Sequence, residues 1–212
     1  MGDIAMKNTT ETDTIELINR AVATSQSYHE YRKMVTQYAA EGKTTGPEQS
    51  DSYIEYTQLN NRRMNRWDKT LKFSEEVSQK IRAVDSQLIF LVLTESWCGD
   101  AAPSVPVMNK IAELNPNIEL RVALRDKNLE LTDEFLTNGA RSIPKLILIN
   151  KETNEVLGDW GPRPEPASQL VQEYKAKHGK LTPEFRQDLQ VWYNKDKGQN
   201  IAAELGALLA LK

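Results

Sequence analysis

Leu88-Ile-Phe-Leu-Val-Leu-Thr-Glu-Ser-Trp-Cys-Gly-Asp-Ala101 is the stretch on which the fold turns. Six successive apolar residues, Leu88 to Leu93, are too few to cross a membrane and read as a strand buried on both faces. The single cysteine of the chain, Cys98, follows that strand. From Asp100 to Leu114 the spacing predicts a helix with Val107, Ile111 and Leu114 on one face. A thiol between a buried strand and a helix start lies where backbone N–H groups and the helix dipole favour an anion, the right position for a reactive sulfur.

Trp97-Cys98-Gly99-Asp100-Ala101 resembles the Trp-Cys-Gly-Pro-Cys active site of thioredoxins. A second match lies downstream, where Asn138-Gly-Ala-Arg-Ser-Ile-Pro144 followed by Lys145 to Ile149 resembles the thioredoxin segment that ends in a cis-proline facing the cysteine and opens the next strand. The resemblance spans roughly Phe73 to His178. It implies an α/β fold, a three-layer α/β/α sandwich on a mixed, mainly four-stranded sheet, with helical N- and C-terminal extensions. The expected division is residues 1–72 for a helical extension, 73–178 for the thioredoxin-like domain and 179–212 for C-terminal helices packed on it. The resemblance also implies a catalytic role for Cys98, substrate binding by Trp97, Gly99, Asp100, Ser142, Ile143 and Pro144, and a cis Ile143–Pro144 bond.

The departures from that pattern bear on chemistry. Ala101 stands at the resolving cysteine, so dithiol cycling within the chain is excluded. Val92 occupies the position where thioredoxins commonly carry a buried carboxylate. Asp100, two residues from the sulfur, raises a thiol pKa while the helix start lowers it, so the two effects oppose each other.

Composition narrows the function classes. Lys and Arg total 27 against 30 Asp and Glu, a net charge of −3, which argues against a general nucleic-acid or membrane binder. One cysteine excludes an internal disulfide framework and fits a reducing, cytoplasmic setting. Met1 to Met6 lacks the apolar core of a signal peptide, and Met6 fails the myristoylation pattern. His29 and His178 have no ligand-like spacing, and no second cysteine exists for zinc, so neither a metal nor a cofactor is expected. Gly42-Lys43-Thr44 imitates only the tail of a phosphate-binding loop.

Around the central stretch, residues 1 to about 12 read as a loose start. One helical stripe then runs through Ile15, Ile18, Val22, Tyr31, Val35 and Tyr38 to a Gly/Pro break at Glu41–Pro47. A second stripe carries Tyr53, Tyr56, Asn60, Met64, Trp67 and Leu71. Asn60 within it must find hydrogen bonds or face a cavity. Arg62, Arg63, Arg66, Lys69 and Lys72 make the most basic stretch, readable as a solvated face or as an anion or partner site. A helix from Ser74 leads into the Leu88 strand, a strand spans Ile118 to Leu124, and a short helix covers Leu129 to Thr137. If the two strands are parallel, Arg125 lies at the Cys98 end of the sheet and is a candidate neighbour of the thiolate. It reads equally as a surface arginine paired with Asp126 or Glu130. A hairpin follows Ile149, then the rigid Gly161–Pro166 loop and helices with apolar faces at Leu170, Val171 and Tyr174, at Phe185, Leu189 and Trp192, and at Ile201, Leu205 and Leu208. Trp97 is expected partly exposed, and Trp67 and Trp192 mostly buried.

Two functions fit these residues. One is a single-cysteine thiol-disulfide oxidoreductase, forming mixed disulfides at Cys98 with a small thiol or protein disulfide. The other is a non-catalytic thioredoxin-like binding module that has lost dithiol activity. The sequence carries no reading of oligomeric state.

Overall fold

The computed structural model describes residues 11–210. In chain order the elements are α1 (Glu11–Thr24), α2 (Tyr28–Glu41), α3 (Asp51–Thr70), α4 (Glu75–Arg82), β1 (Leu88–Thr94), α5 (Ala101–Leu114), β2 (Ile118–Leu124), α6 (Leu129–Glu134), β3 (Lys145–Asn150), β4 (Val156–Trp160), α7 (Glu165–His178), α8 (Pro183–Asp196) and α9 (Gln199–Ala210). Most of the loose start expected over residues 1–12 lies outside the described residues; Glu11 and Thr12 already belong to α1.

The four strands form one mixed sheet in the order β2-β1-β3-β4. β1 pairs parallel with β2 and antiparallel with β3, and β3 pairs antiparallel with β4. All seven residues of β1 are buried, because the strand is central and helices cover both faces. Phe90, Val92, Leu146 and Leu148 belong to the larger core with Val105, Met108 and Ile111 of α5. Ile89, Leu91, Leu93, Ile147 and Ile149 face the smaller one, closed by Ile18 and Ala21 of α1 and Leu131 of α6. The strand period of two thus splits one apolar run between two helix layers.

Both terminal extensions contribute to the larger core. Tyr31 and Val35 of α2, Met64 and Trp67 of α3, Leu189 and Tyr193 of α8, and Ile201 and Leu205 of α9 all pack there. Trp192 is only half-buried, unlike the expectation for it, because Tyr193 beside it takes the inward position.

The single N-terminal stripe divides into two helices. Ser25-Gln26-Ser27 interrupts it, and Gln26 exchanges two backbone hydrogen bonds of 2.8 Å with Val122 at the edge of β2. Arg121 fixes the same turn through the Ser25 hydroxyl and carbonyl. Ser27 and Glu30 then form a capping box that restarts the chain as α2. An apolar period carries through such a break unchanged, so periodicity alone reads one helix.

Candidate functional site

β1 and α5 deliver Cys98 to the carboxyl end of the sheet. The Glu95–Cys98 turn is closed by a Cys98 N–H bond to the Glu95 carbonyl at 3.1 Å, and α5 starts at Ala101. On the far side, the Ile143–Pro144 bond is cis and β3 begins at Lys145. The Cys98 thiol donates to the Ile143 carbonyl at 3.3 Å, so the two segments meet at the sulfur.

That sulfur is enclosed, with Cys98 only 7 % exposed. Burial, then the Asp100 carboxylate, push its thiol up to about 12; backbone N–H groups of Ala101 and Asp100 and the charge of Arg163 oppose the shift without overcoming it. Desolvation therefore settles the opposition between carboxylate and helix start in favour of the protonated thiol.

Asp100 is gripped from the C-terminal side. Arg163 pairs with it at 2.6 Å, and the buried Tyr193 hydroxyl of α8 donates to its other oxygen at 3.0 Å. One turn earlier on α8, Gln190 donates to the Gly99 carbonyl at 3.0 Å. Arg163 reaches this place because Gly161 lets its loop lie against Pro144. A Cβ on Gly161, whose φ is +123°, would stand 2.1 Å from the Pro144 carbonyl oxygen.

From the N-terminal side the contact is neutral. The Ser96 hydroxyl lies 2.8 Å from that of Thr57 and 3.2 Å from that of Thr44, and accepts from the Thr45 backbone N–H at 3.0 Å. Ser96 N–H donates to the Thr45 hydroxyl at 2.8 Å, and Asn60 donates to the Ser96 carbonyl at 3.0 Å. All five residues are buried. Asn60 thus meets its hydrogen-bond requirement by docking α3 on the cysteine loop.

Of the residues singled out in the sequence, Trp97, Cys98, Gly99 and Asp100 are contiguous here, and the Ile143 carbonyl, just before Pro144, meets the sulfur. Ser142 is half-buried in the adjoining turn. Trp97 is partly exposed, stacked on Tyr53 of α3 with ring centroids 4.6 Å apart. Arg125 is drawn elsewhere. It pairs with Asp126 at 2.6 Å and lies over the Trp97 ring, 5.0 Å from its centroid. The arginine whose charge reaches Cys98 is Arg163, which the sequence reading missed; its one signal was a lone arginine between two prolines.

Glu95 was missed as well. The core position Val92 is apolar, yet Glu95 is fully buried three residues before the cysteine. Its Oε1 accepts from the Asp126 backbone N–H at 2.8 Å, while Oε2 has no partner. Burial, above all, raises its pKa. Tyr31 Oη, Thr94 Oγ1, Trp97 Nε1, Ser104 Oγ and Arg163 Nε are likewise buried without partners. Tyr31 feels the charges of both Cys98 and Glu95, and burial drives its hydroxyl pKa upward. Among the described residues, every unsatisfied buried side-chain atom thus belongs to the Thr94–Ser104 run or to a residue that interacts with it.

The family model described as Thioredoxin matches residues 46–175, more than half of the chain. The chain belongs to the thioredoxin family. No curated protein matches it. Two solved structures resemble it at 15 % identity. One is a protein of unknown function from Pseudomonas aeruginosa, with a TM-score of 0.58 over 91 % of this chain and 96 % of the other. The second is an HIV epitope-scaffold, with a TM-score of 0.55 over 88 % and 99 %. At that identity they support the thioredoxin-like fold and nothing about activity. Among the described residues no helix is long and apolar enough to cross a membrane, and no group of His, Cys, Asp and Glu is placed to hold a metal ion.

Proposed function

We propose that this chain is a thioredoxin-like binding module, in which the family's cysteine position has become part of the folded core and the surface beside Pro144 receives a peptide or protein partner. The observation that carries the reading is the setting of the sulfur: 7 % exposed and donating to the Ile143 carbonyl at 3.3 Å, with burial pushing its thiol up. A nucleophile needs the thiolate and a path to it, and both are suppressed here. The exposed Gly139-Ala140-Arg141 turn next to Ser142 and Pro144 stays open for contact. The proposal includes a cytoplasmic setting, where a lone thiol stays reduced, and the division at residues 72 and 178 into extension, core and tail.

A second reading rests on a separate observation. Backbone N–H groups of Asp100 and Ala101 and the charge of Arg163 still favour an anion at Cys98. Were α8 released, the thiolate could attack a small or protein disulfide. One S–S bond would form at Cys98 as the original breaks, and the departing thiolate would take up a proton. With Ala101 in the resolving position, release would need an external thiol.

Turnover separates the readings. Insulin disulfide reduction, assayed with reduced glutathione as the external thiol, should show no rate above the protein-free control for wild type or Cys98→Ser. A Cys98-dependent multi-turnover rate would overturn the binding-module reading in favour of the monothiol enzyme.

A further inference from the structure

The basic stretch of α3 leads to a second place on the molecule, remote from the sulfur in its chemistry. Where the end of α3 meets the turn between α8 and α9, a cavity of about 470 Å³ is lined by Arg66, Trp67, Thr70, Leu71, Lys72, Asn194, Lys197 and Gln199. Its floor is apolar, since Trp67 and Leu71 belong to the core yet reach the cavity wall. Gly198 brings the turn down onto that floor. With φ at +76°, a Cβ there would stand 3.5 Å from Trp67 and 3.3 Å from Leu71, and only 2.8 Å from Val107.

The walls carry three cations and no carboxylate. Among the described residues, none of the ion pairs includes Arg66, Lys72 or Lys197. Arg66 donates only to the neutral amide oxygen of Asn194. The nearest acids in sequence are engaged elsewhere: Asp68 holds Tyr28 and Arg32, and Asp196 accepts from Asn200 at the start of α9. Lys197 occupies a left-handed backbone position, φ +55°, as the C-cap of α8, its N–H bonding to the Tyr193 carbonyl. What sets this place apart is the combination: three cations and no carboxylate line one cavity whose floor is apolar.

We propose that this cavity binds a small amphipathic organic anion, its apolar body on Trp67 and Leu71 and its carboxylate or phosphate head among Arg66, Lys72 and Lys197. The guanidinium supplies a planar fork for two oxygens and the lysines supply point charges. Helix C-termini favour a following cation, which accounts for a lysine after α3 and after α8 but not for Arg66 within α3, nor for the apolar floor.

The test is a titration of the full chain, followed by amide signals in NMR, with phenyl phosphate, inorganic phosphate and phenol as probes. Phenyl phosphate should shift residues 66–72 and 194–199 saturably, and more tightly than either fragment of it. Lys72→Gln with Lys197→Gln, both at exposed side chains, should weaken it about tenfold with an unchanged melting temperature, and raised salt should weaken it in wild type. Absence of shifts in those residues, or equal affinity in the double variant, would overturn the site. Inorganic phosphate binding as tightly as phenyl phosphate would overturn the amphipathic class.

Discussion

Two sides of the molecule, the N-terminal helices and the Arg163 loop together with α8, close over the same loop by different physics. On the N-terminal side, Ser96 is tied to Thr44, Thr45, Thr57 and Asn60 by neutral hydrogen bonds, all within buried residues. On the C-terminal side, Asp100 is held by an ion pair with Arg163 and a bond from Tyr193. The bonds on Ser96 itself join neutral, buried groups and respond little to salt, while the Arg63 guanidinium donates to Asn60 from outside at 3.1 Å. An ion pair that is partly exposed, 20 % and 11 % for the two side chains, can be weakened without unfolding the sheet. The difference predicts that the C-terminal side is where access to Cys98 is decided.

The largest effect should come from Asp100→Ala. It leaves the Arg163 guanidinium, only 20 % exposed, without its carboxylate, a loss of about 3 kcal/mol in urea unfolding, the low end for a fully buried pair. Because the carboxylate is one of the groups raising the Cys98 pKa, the thiol should also alkylate about tenfold faster at mildly alkaline pH. Unchanged alkylation would mean that the C-terminal clamp does not control access.

Ser96→Ala attacks the other side and should lower stability by about 2 kcal/mol, through donors and acceptors left with fewer partners. Here the comparison sharpens: the loss should be the same at low and high salt, whereas the contribution of Asp100 should shrink as salt rises. A salt-dependent Ser96→Ala would erase the distinction.

A smaller effect is expected at Glu95, which adjoins the N-terminal clamp beside Thr45. Its folded pKa is raised, so the unfolded chain releases the proton first, and stability falls as pH rises from the unfolded carboxyl range through the raised folded value. Glu95→Gln should therefore stabilise the protein at neutral pH by about 1 kcal/mol, a gain that vanishes in acid. A loss at neutral pH would show that the ionised carboxylate is structurally required.

What could be read from the sequence follows the range of the interactions. β1, Cys98, the α5 start and the Pro144 turn were legible because strand, thiol, helix and proline lie in two short segments with strong local signals. Ser96 and Thr44 were not, since a hydroxyl in a polar loop looks solvated until a second element is brought onto it; Asn60 in its apolar stripe was the only hint. Arg125 was favoured by topology, which puts it at the correct end of the sheet, but Asp126 beside it and the Trp97 ring claim its charge. Arg163 arrives 65 residues after the cysteine along a loop whose path depends on Gly161. The stripe of α8 says that Leu189 is buried; nothing local says that Tyr193 will meet Asp100.

The N-terminal helices, the Arg163 loop and α8 together hold Cys98 as a shielded thiol, and the pH dependence of its alkylation is the decisive measurement. Rates of iodoacetamide modification, followed by intact mass, would be compared for the native protein and the protein in urea. The native rate should be low and still climbing, without a plateau, above the ordinary thiol value of 9.0, where the unfolded chain levels off. A native rate that equals or exceeds the unfolded one and levels off below pH 9.0 would contradict this, and would make Cys98 an accessible thiolate.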